Sequence, residues 1–201
     1  MNITNQKNTN NTKIFFIISA LLILLDQVTK LAVKGFSIGS FTHTGLYYGE
    51  LIPVIDDILQ ITYIENEGMA FGISFGWGKI FLSIFSLVAS GAISYYLVKL
   101  GRISNNNLLK FAVSLVLAGA LGNAIDRNFY GVLFNKAPLF YGRVVDFILV
   151  DIPDLTFLGT KYTHFPVFNV ADSCVTCGMI LLLILHKQLP ETNQIFGKNT
   201  Q

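Results

Sequence analysis

Charged residues are scarce in this chain, and their scarcity sets the first limit on its fold. Only 13% of the 201 residues are Asp, Glu, Lys or Arg, whereas 52% are hydrophobic and the mean hydropathy is +0.56. A soluble domain usually carries about 25% charged residues. The net charge of +2 provides no basic surface of the kind that binds nucleic acid. Because the apolar residues are gathered into long runs, the composition indicates an integral membrane protein.

Residues for several common chemistries are also few or badly spaced. No Gly-x-Ser-x-Gly motif is present, which disfavours a serine-type peptidase that would use Ser83 or Ser173. Cys174 and Cys177 fall inside an apolar run, where cysteines are typical packing residues. The three histidines are His43, His164 and His186. They lack the spacing of a metal site. The sequence therefore predicts neither a metal nor a cofactor.

Four apolar runs predict an α-helical membrane protein with four transmembrane helices. The clearest run, residues 80–98, has no charge between Lys79 and Lys99 and would cover about 28 Å of bilayer. The first run contains Asp26 and Lys30, and we expect a retained helix rather than a cleaved signal peptide, because no small-residue cleavage site follows Leu25. The other three runs cover residues 14–33, 108–125 and 170–185.

The distribution of charge predicts an orientation and a division of the chain. If both termini and the 99–110 connection share one side, that side carries +6 and the other −4. Three basic residues lie in that short connection, where the positive-inside rule is strongest. We therefore expect both termini in the cytoplasm. The expected parts are a disordered segment 1–13, a membrane domain 14–188 and a cytoplasmic tail 189–201.

Two connections on the outer side are too long to be simple turns. Within residues 35–78, the alternating pattern of residues 59–64 predicts a strand and, with its neighbours, a small extracytoplasmic β-sheet. Residues 128–169 contain Pro138, Pro153 and Pro166 among aromatic residues. We expect this second connection to form a loop or a short helix over the bilayer.

Four aspartates lie in or beside the apolar runs, where a carboxylate is costly and is a functional candidate by default. They are Asp26, Asp126, Asp146 and Asp172. In the expected orientation all four lie on the outer side. Two carboxylates that share one proton can activate water, as in an aspartic peptidase. Intramembrane acids also mark ion pathways, so a small proton-coupled transporter is the alternative, although acids gathered at one surface form no path across the bilayer.

Five motifs, in order over about residues 14–186, give the chain a resemblance to the lipoprotein signal peptidase family, or signal peptidase II. The resemblance implies an aspartic endopeptidase of the bacterial cytoplasmic membrane. Such an enzyme removes the signal peptide from a prolipoprotein, on the N-terminal side of a cysteine that carries diacylglycerol. The motifs are Asp26-Gln27-Val28-Thr29-Lys30, Asn66-Glu67-Gly68-Met69-Ala70-Phe71-Gly72, Gly122-Asn123-Ala124-Ile125-Asp126-Arg127, Val144-Val145-Asp146-Phe147 and Phe168-Asn169-Val170-Ala171-Asp172-Ser173.

The same resemblance implies the site residues and the partners. It makes Asp146 and Asp172 the catalytic pair, near the outer face of the membrane. It implies a monomer that binds the signal peptide, its lipidated cysteine, membrane lipids and the cyclic peptide inhibitors of the family. The stretches on either side of Asp146 are longer than is usual in the family. The supporting residues that it implies are Asp126, Arg127, Asn66, Asn123, Asn169, Asp26 and Lys30.

Each assignment has a structural alternative. Asp172 could cap the start of the last helix, and Asp126 could form an ion pair with Arg127. Asp26 and Lys30 have the favourable i, i+4 order and are expected to neutralise each other. The three asparagines could either satisfy buried backbone groups or hold the substrate in an extended form.

Overall fold

The computed structural model describes residues 3–68, 76–157, 160–191, 193–194 and 197. Three of its helices are long and apolar enough to cross a membrane, over Thr12–Lys34, Gly78–Ile103 and Asn107–Leu133. They belong to α1 (Ile3–Lys34), α2 (Gly76–Ile103) and α3 (Asn107–Ile125). The third span continues past α3 through a π-helical turn, Asp126–Tyr130, into the short α4 (Gly131–Leu133).

The fourth expected helix is present but short. It is α5 (Val170–Ile184), an apolar helix of 15 residues that covers about 23 Å. A 3₁₀ turn, His186–Gln188, follows it. All four predicted helices are therefore found, and the number that span the membrane stays a prediction.

Helix α1 covers most of the segment 1–13 for which the sequence predicts disorder. Its bounds are Ile3 and Lys34. Polar residues such as Asn and Thr are weak helix formers on their own, but extending a helix that is already nucleated costs much less than starting one.

The connections between the helices contain antiparallel strands, which form two sheets. The first pairs β1 (Gly35–Ile38) with β2 (Phe41–Thr44). The second has the order β3-β4-β5-β6 and comprises β3 (Ile52–Ile55), β4 (Leu59–Asn66), β5 (Val144–Phe157) and β6 (Thr160–His164). The strand predicted at residues 59–64 is confirmed as part of β4.

The second of the two long connections, residues 128–169, contains strands that the sequence did not predict. Residues 144–157 and 160–164 are strands, where a loop or a short helix was expected. The run from Val144 to Val150 is rich in β-branched and apolar residues, which favour a strand. Its partner β4 is some 80 residues away in the sequence, with Asn66 opposite Val144. Pro153 lies at an irregularity in the pairing of β5 with β6, where a proline is tolerated.

The chain divides into two compact units, each with its own hydrophobic core. The first, here the helical unit, comprises Met1–Leu24, Phe85–Ala124 and Ala171–Gln201. The second, here the sheet unit, comprises Leu25–Ile84 and Ile125–Val170. The core of the helical unit is formed by Phe15, Leu97, Leu100, Leu109, Val113, Leu117 and Leu185. The core of the sheet unit is formed by Val33, Tyr63, Tyr130, Val145 and Phe147.

Small residues bring α3 and α5 close together within the helical unit. A Cβ on Gly119 would overlap the carbonyl oxygen of Ala171, and a Cβ on Gly178 would lie 2.8 Å from the carbonyl oxygen of Ala112. Glycine at both positions therefore permits a close backbone approach, which is a common use of small residues between membrane helices. This approach places the first turn of α5 beside the end of α3.

Candidate active site

Asp146 lies on β5 in the sheet unit, and two asparagine amides hold its carboxylate. Asn66, the last residue of β4, donates from Nδ2 to Asp146 Oδ2 over 3.0 Å. Asn169 donates from Nδ2 to Asp146 Oδ1 over 2.7 Å. The aspartate is 3% exposed and Asn169 is fully buried. Each carboxylate oxygen therefore accepts a hydrogen bond from a neutral amide in a site largely closed to solvent.

The orientation of the Asn66 amide is fixed by a local turn. Its Oδ1 accepts a hydrogen bond from the backbone N–H of Gly68 over 2.9 Å. Gly68 has φ +76°, a conformation that glycine adopts readily and other residues adopt at a cost. Because the amide oxygen is used in the turn, the NH₂ group is the end that faces Asp146. The following residues of this motif, Met69 to Gly72, lie outside the described part of the chain.

Asn169 is held against β5 by its neighbour. Phe168 and Ile148 exchange backbone hydrogen bonds, from Ile148 N to Phe168 O over 2.8 Å and from Phe168 N to Ile148 O over 3.1 Å. The Asn169 amide also donates to the carbonyl oxygen of Val145 over 3.2 Å. A bridge in the main chain thus sets the position of a side chain that touches Asp146.

Asp172 lies in the helical unit, in the first turn of α5. Asn123 of α3 donates from Nδ2 to Asp172 Oδ1 over 2.8 Å. The aspartate is half-buried, and its place at a helix N-terminus favours a negative charge. As with Asp146, an asparagine of a sequence-predicted motif contacts the carboxylate.

Two further aspartates of the sheet unit share one lysine. Lys30 Nζ lies 2.8 Å from Asp26 Oδ2 and 2.8 Å from Asp126 Oδ2, and all three side chains are at most 1% exposed. Gln27 Nε2 donates to Asp126 Oδ1 over 3.0 Å. Asp126 Oδ2 also accepts from the backbone N–H of Val145 over 3.2 Å, which ties this cluster to the strand that carries Asp146.

The structure contains the predicted pair of Asp26 with Lys30 and adds a partner that the sequence did not predict. Sequence reasoning considered only the neighbouring Arg127 as an ion partner of Asp126, whereas in the structure Lys30 also contacts Asp126. Adjacent residues of a helix do not face each other, while a long lysine side chain can reach a second element. Local sequence spacing could reveal the i, i+4 pair but could not reveal a partner almost 100 residues away.

Sequence reasoning gave no role to Gln27 or Tyr130, although Gln27 lies inside one of the motifs. The Tyr130 hydroxyl donates to Gln27 Oε1 over 3.0 Å, so these two side chains extend the network around Asp126. Ser83, which sequence reasoning considered as a nucleophile, has a structural contact instead. It is 1% exposed and donates to the carbonyl oxygen of Phe140 over 2.8 Å.

The structure thus places the predicted site residues in three groups. Asp146 contacts Asn66 and Asn169, Asp172 contacts Asn123, and Asp126 contacts Lys30, which also binds Asp26. Asp146 belongs to the sheet unit and Asp172 to the helical unit, so their action as a pair stays a prediction. Among the residues described, no group of three or more His, Cys, Asp or Glu side chains is arranged to hold a metal ion.

Comparison with known proteins decides the family. The profile of the family described as Signal peptidase (SPase) II matches residues 18–187. The chain belongs to the signal peptidase II family. The lipoprotein signal peptidase of Porphyromonas gingivalis is 36% identical to it over 94% of this chain and 88% of that protein. That of Clostridium tetani is 41% identical over 84% of this chain and 88% of that protein.

A solved structure described as a bacterial membrane enzyme has the same fold. Its TM-score is 0.63, with 31% sequence identity over 94% of each chain. Signal peptidase II enzymes are aspartic peptidases, and the apolar helices fit a protein of the bacterial cytoplasmic membrane. Family membership gives no support to the alternative of a proton-coupled transporter.

Proposed function

We propose that the chain removes the signal peptide from diacylglyceryl-modified prolipoproteins, on the N-terminal side of the lipidated cysteine, and that Asp146 and Asp172 activate the hydrolytic water. The observation that supports this assignment most strongly is the set of amide contacts. In a chain of the signal peptidase II family, Asn169 and Asn66 hold one aspartate and Asn123 holds the other.

The chemistry needs two carboxylates in different protonation states. Water is a weak nucleophile at neutral pH, and an amide carbonyl is a weak electrophile. The ionised carboxylate takes a proton from the water molecule while the water oxygen attacks the carbonyl carbon. The protonated carboxylate donates a hydrogen bond to the carbonyl oxygen, and a proton then passes to the amine as the C–N bond breaks. The products are the carboxylate of the signal peptide and the free amine of the lipidated cysteine.

Amide donors suit this task because they orient a carboxylate without fixing its charge. An ammonium group held against an aspartate strongly favours the ionised form. A neutral amide also favours it, but more weakly, so the carboxyl group can still gain a proton during turnover. We therefore assign Asn66, Asn169 and Asn123 as positioning residues, and Asp26, Lys30 and Asp126 as a structural ion cluster with Arg127 beside it.

The proposal extends to the membrane setting. We infer four spans with both termini in the cytoplasm and the site at the outer face, from the charge bias of the connections. The substrate would reach the site through the bilayer because its cysteine carries two acyl chains. The enzyme would act as a monomer among membrane lipids and bind the cyclic peptide inhibitors of its family.

Cleavage of a lipidated precursor by the purified protein in detergent tests the catalytic pair. We expect Asp146→Asn and Asp172→Asn each to lower kcat by at least about a thousandfold. Residues that act as one unit are not additive, so the double variant should be no slower than either single variant. A matched control is Asp151→Asn, because Asp151 lies exposed on the same strand.

The outcomes separate the assignment of the residues from the assignment of the activity. Near-normal turnover in either single variant would refute its catalytic role. Absence of cleavage by the wild-type protein, with the precursor and the detergent validated on another signal peptidase II, would refute the proposed activity itself.

A further inference from the structure

A cavity of about 430 Å³ lies in the sheet unit, and four of its lining residues are basic. These four are Lys34, Lys79, Lys136 and Arg143, and Glu65 is the carboxylate among the lining residues. The proposed mechanism uses none of these side chains. A cavity with this charge is suited to an anionic ligand.

The cavity and Asp146 are reached from opposite faces of β4. Successive residues of a strand point to opposite sides, and Asn66 contacts Asp146 whereas the preceding Glu65 lines the cavity. Glu65 Oε1 forms an ion pair with Lys34 and accepts a hydrogen bond from the Tyr63 hydroxyl over 2.5 Å. Tyr63 is two residues from Glu65 and shares its face of the strand. The basic cavity is therefore separate from the contacts of the candidate active site.

Glu65 and Glu67 form ion pairs with the four cations but balance only half of their charge. Lys136 Nζ lies 3.3 Å and Arg143 Nη1 lies 3.5 Å from Glu65. Glu67 contacts Arg143 Nη2 over 2.6 Å and Lys79 Nζ over 2.7 Å. Four cations and two carboxylates leave this cluster with a net charge of +2. Because the side chains of Lys136 and Arg143 are 59% and 49% exposed, their donors can still reach a ligand.

Residues near the ends of three candidate membrane spans line the cavity. Lys34 is the last residue of the span Thr12–Lys34, and Lys79 is the second residue of the span Gly78–Ile103. Tyr130 and Gly131, which also line it, are near the end of the span Asn107–Leu133. The ends of membrane spans meet the headgroup region, where tyrosine and basic side chains are favoured.

We propose that this cavity binds the phosphate group of an anionic phospholipid. The fork of Arg143 and the ammonium groups of the lysines match the donors that proteins use for phosphate oxygens. The net positive charge favours a headgroup with net negative charge over a zwitterionic one. Since three span ends surround the cavity, the ligand comes from the membrane rather than from solution.

The test uses the full-length protein in a neutral detergent with added short-chain lipids. Binding is followed by native mass spectrometry and by the shift of the thermal unfolding midpoint, which rises when a ligand binds the folded state. The probes are short-chain phosphatidylglycerol, short-chain phosphatidylcholine and inorganic phosphate. We expect phosphatidylglycerol to bind more tightly than either of the other two by about tenfold or more.

A pair of exposed substitutions tests the location. Lys136→Gln with Arg143→Gln removes two cationic groups of the cavity and should weaken phosphatidylglycerol binding by about tenfold or more. The matched control, Arg102→Gln with Lys187→Gln, removes one arginine and one lysine that are exposed in the helical unit. It should leave binding within about twofold of wild type, since neither residue lines the cavity.

Three results would overturn the inference. Equal binding of phosphatidylglycerol and phosphatidylcholine would exclude selection by charge. Inorganic phosphate binding as tightly as phosphatidylglycerol would make free phosphate the ligand and exclude the lipid assignment. Equal losses in the cavity variant and in the control variant would place the lipid elsewhere on the protein.

Discussion

Buried carboxylates in this chain have two kinds of surroundings: one pair of aspartates shares an ammonium group, and another aspartate is contacted by two asparagine amides. Asp26 and Asp126 share Lys30, and the three side chains are almost completely closed to solvent. Asp146 is also buried, and each of its oxygens accepts a hydrogen bond from an asparagine amide. All three aspartates belong to the sheet unit, so their surroundings can be compared directly.

The difference supports our proposal that Asp26 and Asp126 are structural acids and that Asp146 is a reactive one. A buried lysine needs a carboxylate beside it, because removal of the carboxylate would leave the lysine charge uncompensated. Such a group serves the fold. A carboxylate oriented by amides keeps its geometry while its protonation state changes, which is what general acid–base chemistry requires. Burial alone would not have distinguished the two groups, since both are nearly inaccessible.

The largest expected effect comes from removing the shared cation. Lys30→Met leaves two buried carboxylates without their ammonium partner and should destabilise the protein by about 3–5 kcal/mol. Thermal unfolding in detergent measures this effect. The double variant Asp26→Asn with Lys30→Met restores the net charge of the cluster to −1 and should recover part of the loss. An unchanged unfolding midpoint in Lys30→Met would show that this cluster is not structural.

Glu65 offers a second cation-held carboxylate, outside the membrane spans. Burial alone would raise its pKa, but hydrogen bonds from Lys34 and Tyr63 and the charges of Lys34 and Lys136 outweigh this and lower the pKa to about 2. Relative to the ordinary value of 4.5, this corresponds to about 3 kcal/mol in favour of the folded state. Glu65→Gln should therefore destabilise the protein by up to about that amount at pH 7.

The pH dependence of that loss follows from its sign. A carboxyl group whose pKa is depressed by folding stabilises the protein above its unfolded pKa and loses that contribution as the pH falls toward the folded value. The difference in unfolding midpoint between wild type and Glu65→Gln should thus be full above about pH 5 and shrink toward pH 2. Glu191→Gln, at an exposed site, is the control. A difference that is constant over this range would contradict the ionised ion pair.

Local patterns in the sequence were sufficient to predict the helices and the family. Long apolar runs predicted α1, α2, α3 and α5, and the alternation of residues 59–64 predicted β4. The five motifs contained each side chain that contacts Asp146 or Asp172 through an amide in the hydrogen bonds above.

Features that depend on distant partners could not be predicted in this way. Strand β5 forms because β4 offers it a hydrogen-bonding edge. The three prolines of this connection favoured the prediction of a loop, although β5 contains a run of β-branched residues. Asp126 contacts Lys30, and Glu65 contacts cations from two other segments of the chain, only once the fold has formed. Sequence periodicity reports which face of an element is apolar, but it carries no information on which polar side chains meet across elements.

A smaller effect is expected from the amide that orients Asp146. Asn169→Ala removes a donor to the carboxylate and should lower kcat by about tenfold to a hundredfold, with little change in KM. The matched control is Asn128→Ala, since Asn128 is another fully buried asparagine of the sheet unit whose amide contacts the backbone carbonyl of Ser83. The control should lower stability while kcat of the folded fraction stays close to wild type. Equal loss of kcat in both variants would mean that Asn169 acts only through folding.

The smallest effect is expected at Asp172. Asn123→Ala removes the amide that contacts its carboxylate, but Asp172 also lies in the first turn of α5, where the helix N-terminus stabilises negative charge. We therefore expect kcat to fall by only about threefold to tenfold. Steady-state kinetics on the lipidated precursor, with Asn123→Ala and Asn169→Ala measured side by side, gives the ratio. If Asn123→Ala proved the slower enzyme, the helix terminus would contribute little, and Asp172 would depend on its asparagine more than Asp146 does.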